Sequence, residues 1–143
     1  MKLKCLFLLL LLGISFCVHA QKRPVILEKQ LEIIRKYPDN GDALKFLCQY
    51  YLNKGDYSKT MSGREKIAKK NLNLSLELAT KLNNDSTLCS VYGSLGLYSA
   101  NIETDYYRAI RWLYKGIQLA QQNNFQQQYA LLLGNLANIY YLK

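Results

Sequence analysis

The sequence predicts an all-α fold in which successive helices pack antiparallel. Apolar residues recur three and four positions apart through almost everything after residue 24. Short polar turns rich in Asn, Asp, Pro and Gly interrupt that periodicity. One apolar pattern also returns three times along the chain. Connections this short fold each helix back onto the one before it.

The elements follow in order. Pro24 opens a first helix over 25–37, with Ile26, Leu27, Leu31, Ile33 and Ile34 on one stripe. Pro38-Asp39-Asn40 stops it, and Asp39 or Asn40 is placed to cap a second helix over 41–53. Gly55 is expected to close that helix in the left-handed conformation. Ser62-x-x-Glu65 has the form of a capping box opening a helix over 63–82. Within it, residues 71–78 alternate Asn, Leu, Asn, Leu, Ser, Leu, Glu, Leu, which is also a strand pattern. No neighbouring segment supplies a partner strand, and Leu, Glu and Lys favour helix. Asn83-Asn84-Asp85-Ser86 is a turn before a helix over 87–100, and 101–104 breaks it. A helix over 105–122, the turn Asn123-Asn124 and a last helix over 125–143 complete the chain, with Asn124-x-x-Gln127 as a second capping box.

The first twenty residues stand apart from this fold. Lys2 and Lys4 precede an apolar run over residues 5–18, and Val18-His19-Ala20 follows. This is the layout of a secretory signal peptide, residues 1–20, cleaved after Ala20. The run has 14 residues, too few for a membrane span, which takes roughly 20. Lipidation at Cys17 is the alternative, although Phe16 is bulky for such a site. Export places the mature chain, residues 21–143, in the periplasm or cell envelope. Contact with a membrane then needs a lipid at Cys17 or a transmembrane helix further along. Of the 19 Lys and Arg, 17 remain against 10 acids, a net charge of +7. These cations are spread along the helices, as on a solvated surface, and no nucleic-acid partner is expected.

Side-chain chemistry argues against an enzyme. The only histidine, His19, leaves with the leader, so no Ser-His-Asp, Cys-His or histidine-metal site remains. Catalytic, cofactor and metal residues are therefore expected to be none. The mature cysteines, Cys48 and Cys89, lie among apolar residues inside helices and are expected to be buried thiols rather than a bridge.

The recurring pattern is Leu44-x2-Leu47-Cys48-x2-Tyr51, then Tyr92-x2-Leu95-Gly96, then Leu133-x2-Leu136-Ala137-x2-Tyr140. Its copies begin 48 and 41 positions apart, with residues 58–68 reading as an insertion in the first. Lys54-Gly55-Asp56-Tyr57 supplies a turn, and Ala109-x3-Leu113 lies on the following helix of the second copy. The whole resembles the tetratricopeptide repeat, whose first helix reads W-x2-L-G-x2-Y and whose second carries A-x3-F. The resemblance implies antiparallel helix pairs stacked as a right-handed α-solenoid. The small residues Cys48, Gly96, Ala137 and Ala109 would let paired helices approach.

The resemblance also implies a concave groove, lined by first helices, that holds peptide segments. Its candidates are Lys45, Gln49 and Asn53, then Gly93, Leu97 and Asn101, then Gly134, Asn138 and Tyr141. Amide side chains there can bond an extended backbone, and Lys45 can meet a carboxylate. The expected function is a non-enzymatic scaffold for a protein or peptide ligand, of the kind found as the sensor segment of a longer exported regulatory protein. A lipid-anchored nutrient-binding component is the alternative. Because Lys143 follows a first-type helix, Leu133, Leu136 and Tyr140 are expected to lack a cover. That leaves a fragment of a longer array or self-association through the last helix.

Overall fold

A computed structural model describes residues 24–56 and 65–142. The leader, Cys17 and the capping residue Ser62 lie outside the described residues. Six helices lie among the described residues, with no strand: α1 (Val25–Lys36), α2 (Gly41–Gly55), α3 (Glu65–Leu82), α4 (Asp85–Asn101), α5 (Tyr106–Gln122) and α6 (Gln126–Leu142). The fold is all-helical. The alternating segment 71–78 is helical throughout, because its leucines serve a helix buried along Ala68, Leu72, Ser75 and Ala79.

Local chemistry sets the helix ends. The Asn40 side chain accepts from the Ala43 amide at 2.9 Å, and Asn84 accepts from Thr87 at the same distance. Asp105 likewise accepts from Arg108 at 2.9 Å. Each satisfies an amide that the helix itself leaves unpaired. Two expectations are corrected here. Asn124 is not a cap, since it takes a left-handed φ of 58° and its amide donates to the Gln121 carbonyl. Asn83 (49°) turns the chain in the same way after α3. Gly55, in contrast, stays within its helix, and its missing side chain is needed for packing instead.

The core is built from helix pairs. The most extensive packing joins α2 to α3 and α4 to α5, while α3 meets α4, α5 meets α6 and α1 meets α2. First helices also touch across pairs, α2 with α4 and α4 with α6. Within the first pair the end of α2 lies on the start of α3, and Lys81 at the end of α3 reaches the Pro38 carbonyl at 2.7 Å before α2. The pair is therefore antiparallel.

The two principal pairs make the same contacts at a constant offset. Cys48 donates its thiol to the Ser75 carbonyl at 3.3 Å, and Cys89, 41 positions on, donates to the Gly116 carbonyl at 3.5 Å. A Cβ on Gly55 would stand 2.6 Å from Leu72 Cγ and 3.1 Å from the Ala68 carbonyl. On Gly96 it would stand 2.8 Å from Leu113 Cγ and 3.3 Å from the Ala109 carbonyl. All these residues are related by 41 positions, as are the left-handed Asn83 and Asn124. The repeat is thus 41 throughout, and the offset of 48 between the first two copies is a slip of seven. Gly96 matches Gly55 rather than Cys48, and Ala68 matches Ala109, so no insertion separates the copies.

Candidate interaction surface

Lys45, Gln49 and Asn53 occupy successive turns of α2 and are exposed. Gln49 Nε2 donates to Asn53 Oδ1 at 3.0 Å, which holds the two amides side by side. Beside them Lys54 lies 5.8 Å over the Tyr50 ring. On α4, Asn101 is exposed but its amide donates to the Leu97 carbonyl of its own helix at 2.9 Å, and Leu97 is half-buried. Gly93 is buried against α6, where a Cβ would meet Leu132 at 3.1 Å. On α6, Gly134 and Asn138 are exposed, and Tyr141 is 91% exposed. These candidates therefore do not form three equivalent rows.

The offset of 41 supplies the rows that the sequence reading missed. Lys45, Gln49 and Asn53 correspond to Ser86, Ser90 and Ser94 on α4 and to Gln127, Leu131 and Asn135 on α6. Gln128 Nε2, one residue past Gln127, donates to Ser86 Oγ at 2.8 Å and ties the start of α6 to the start of the α4 row. The cysteine pair and the asparagine pair, both 41 apart, were the available signal. The rows grade from charge and amide on α2 through hydroxyls on α4 to mixed amide and leucine on α6.

The residues assigned to packing divide in two. Leu44, Leu47, Cys48, Leu95, Gly96, Ala109, Leu113 and Leu136 are buried, and Tyr51 and Tyr92 are half-buried. Tyr92 stacks on Trp112 at 5.7 Å between centroids, with Lys115 on the Trp112 ring at 4.7 Å. Leu133, Ala137 and Tyr140 are exposed, with Tyr140 reaching the Tyr114 side chain of α5. Leu136, for which the sequence predicts no cover, is instead buried against the core formed with α4 and α5.

A polar brace locks the α4–α5 turn to α3. Glu103 is paired with Lys69 of α3, takes Arg108 Nη1 at 3.1 Å and accepts from Ser99 at 3.2 Å. Arg108 also reaches Asp105 at 3.2 Å. Partial burial works to raise the Glu103 pKa, but Lys69, Ser99 and Arg108 outweigh it and hold the carboxyl below its ordinary value. Tyr98, buried on α4, donates its hydroxyl to the Glu65 carbonyl at 2.8 Å. Thr104 holds a φ of 53° in the same turn, a costly conformation for a β-branched residue.

The two described cysteines are held inside the fold. Cys48 and Cys89 are free, buried thiols. Burial, and then the charge of Asp85, pushes the Cys89 thiol up to about 11, and burial raises Cys48 as well. Both thiols therefore stay protonated at neutral pH. Among the described residues no cluster of His, Cys, Asp or Glu is arranged to hold a metal, and no helix is long and apolar enough to cross a membrane. Comparison with protein-family models, with curated proteins and with solved structures finds no match in any of the three.

Proposed function

We propose that the chain is a non-enzymatic, tetratricopeptide-like module that binds an extended peptide along its first helices. The observation that carries this reading is the 41-residue recurrence of one helix-pair contact set, Cys48–Ser75 and Gly55–Leu72, then Cys89–Gly116 and Gly96–Leu113. A repeated pair of this kind stacks as a solenoid, here taken as right-handed, and presents equivalent helix faces in register. Contacts of α2 with α4 and of α4 with α6 support stacking with first helices adjacent. The Lys45-Gln49-Asn53 row offers a cation and two amides at one-turn spacing, which suits a peptide backbone with an acidic side chain. The leader pattern over residues 1–20 supports a role outside the cytoplasm, as the input segment of a longer regulatory protein.

The test is a selection of displayed random peptides on the chain, followed by titration of the winners. Enriched peptides should be extended and acidic, and Lys45→Glu with Asn53→Ala should weaken them at least tenfold. Winners that bind this double variant as tightly as the parent would sink the proposed row as the site.

A further inference from the structure

The outer side of the helix pairs carries a charge pattern that packing does not use. Helix α3 turns Ala68, Leu72 and Ser75 onto α2, and α5 turns Ala109, Leu113 and Gly116 onto α4. At about 3.6 residues per turn, the opposite sides fall on Lys66, Lys70 and Glu77 of α3 and on Tyr107, Arg111 and Gln118 of α5. All of these are exposed, as are Ile67 and Lys115 beside them. One carboxylate holds the two outer sides next to each other. Glu103 pairs with Lys69 of α3 and with Arg108 of α5, the sequence neighbours of Lys70 and Tyr107.

The joint face carries the cations Lys66, Lys70, Arg111 and Lys115 against one acid, Glu77. Lys66, Lys70 and Arg111 make no ion pair among the described residues. Nothing else in this sequence neutralises them. All ten acids lie within residues 24–56 and 65–142, and residues 1–23 and 57–64 add only Lys and Arg to the charge. A further repeat would stack beside α5 and α6 and leave these outward sides bare. Among the cations, Ile67 is 57% exposed and Tyr107 is 74% exposed. Cations with apolar and aromatic side chains set among them match an interface that is anionic at its surface and apolar beneath. A nucleic acid would use the cations and the ring, but it offers Ile67 nothing.

We infer that the outward face of α3 and α5 is a peripheral contact for a bilayer surface bearing anionic phospholipid. Lys66, Lys70, Arg111 and Lys115 meet the headgroup phosphates, and Ile67 and Tyr107 enter the headgroup layer between them. This contact needs neither a lipid at Cys17 nor a transmembrane helix. It uses the side of the helix pairs away from the amide row, so either reading can fail without the other.

Cosedimentation of the full chain with lipid vesicles tests this. Phosphatidylcholine vesicles measure what the apolar run over residues 5–18 contributes, and vesicles with phosphatidylglycerol added measure the gain from charge. The parent should gain, and the gain should fade at high salt. Lys66→Glu, Lys70→Glu and Arg111→Glu together should weaken binding to the anionic vesicles at least tenfold. Lys29→Glu, Arg35→Glu and Lys36→Glu on α1 change the net charge equally and should weaken it far less. Ile67→Ser, which changes no charge, should weaken it severalfold. Lys66→Gln with Arg111→Gln should give a smaller loss in the same direction as the triple variant, and circular dichroism should find the variants as helical as the parent. Three results overturn the inference. One is equal binding to both kinds of vesicle, and another is equal loss in the α1 variant, which reduces the effect to net charge. The third is binding to duplex DNA, lost in the Lys66-Lys70-Arg111 variant, with no gain from phosphatidylglycerol, which makes the partner a nucleic acid.

Discussion

Gly55 and Gly96 are small because Leu72 and Leu113 press against them. With leucine Cγ atoms 2.6 and 2.8 Å from an added Cβ, the gain in helix propensity cannot offset the overlap. Gly96→Ala should therefore destabilise the chain by about 1–2 kcal/mol. Gly134→Ala meets open space and should stabilise it by up to about 1 kcal/mol. Urea melts of the two variants check both signs, and equal effects would contradict the packing described. The thiols give a second residue-scale prediction. Burial followed by Asp85 raises Cys89 to about 11, against an ordinary value of 9.0. An acid with a raised folded pKa favours the fold only while it is protonated in both states. Stability should thus fall as pH rises from about 9 towards 11. Native Cys48 and Cys89 should also resist alkylation at pH 8 until the chain is unfolded.

At the scale of elements, the helix pairs predict equivalence. Leu72 and Leu113 are both fully buried at matched positions, so each change to Ala should cost about 2–5 kcal/mol and the two costs should be similar. Denaturant melts of the two variants measure this, and a large disparity would mean the pairs are not structural repeats. The turn between α4 and α5 makes a pH prediction. Partial burial opposes ionisation of Glu103, but Lys69, Ser99 and Arg108 lower its pKa overall. Its contribution is present above the ordinary carboxylate range and is lost as pH falls through the lowered value. Glu103→Gln should lower the Tm at pH 7 and should differ less from the parent as the solution is acidified. A Tm gap independent of pH would remove the brace from the account.

Most of the helices were legible in the sequence for physical reasons. Asn40, Asn84 and Asp105 cap where short polar side chains precede apolar periodicity, and the leucines of α3 outweighed their own alternation. Register was harder to read. A slip of seven residues turns a helix almost twice and rotates its stripe by only about 20°. Leu44-x2-Leu47-Cys48 therefore looks as good a match to Tyr92-x2-Leu95-Gly96 as the true partner Tyr51-x2-Lys54-Gly55 does. Lys54, a cation at a leucine position, hid that partner. Only the contacts of Gly55 and Cys48 with α3 distinguish the two. The candidate groove inherited the slip, which left Ser90 and Asn135 out and brought the buried Gly93 in.

Across the whole molecule, the buried residues described fall into two neighbouring clusters. One lies around Leu72, Val91 and Leu95 and the other around Leu113, Leu132 and Ile139. Helix α1 contributes only Leu27 to the buried set and packs on α2 alone among the principal contacts. Hydrogen exchange should therefore be fastest in α1 and slowest in α4 and α5, following nearest-neighbour coupling. Uniform protection across all helices would speak against that picture. The most direct test of the repeat is a methyl-resolved NOE spectrum of the folded chain. The 41-residue register predicts cross-peaks from Leu72 methyls to Gly55 Hα and from Leu113 methyls to Gly96 Hα. A Leu113–Gly96 cross-peak with Leu72 remote from Gly55 would contradict it.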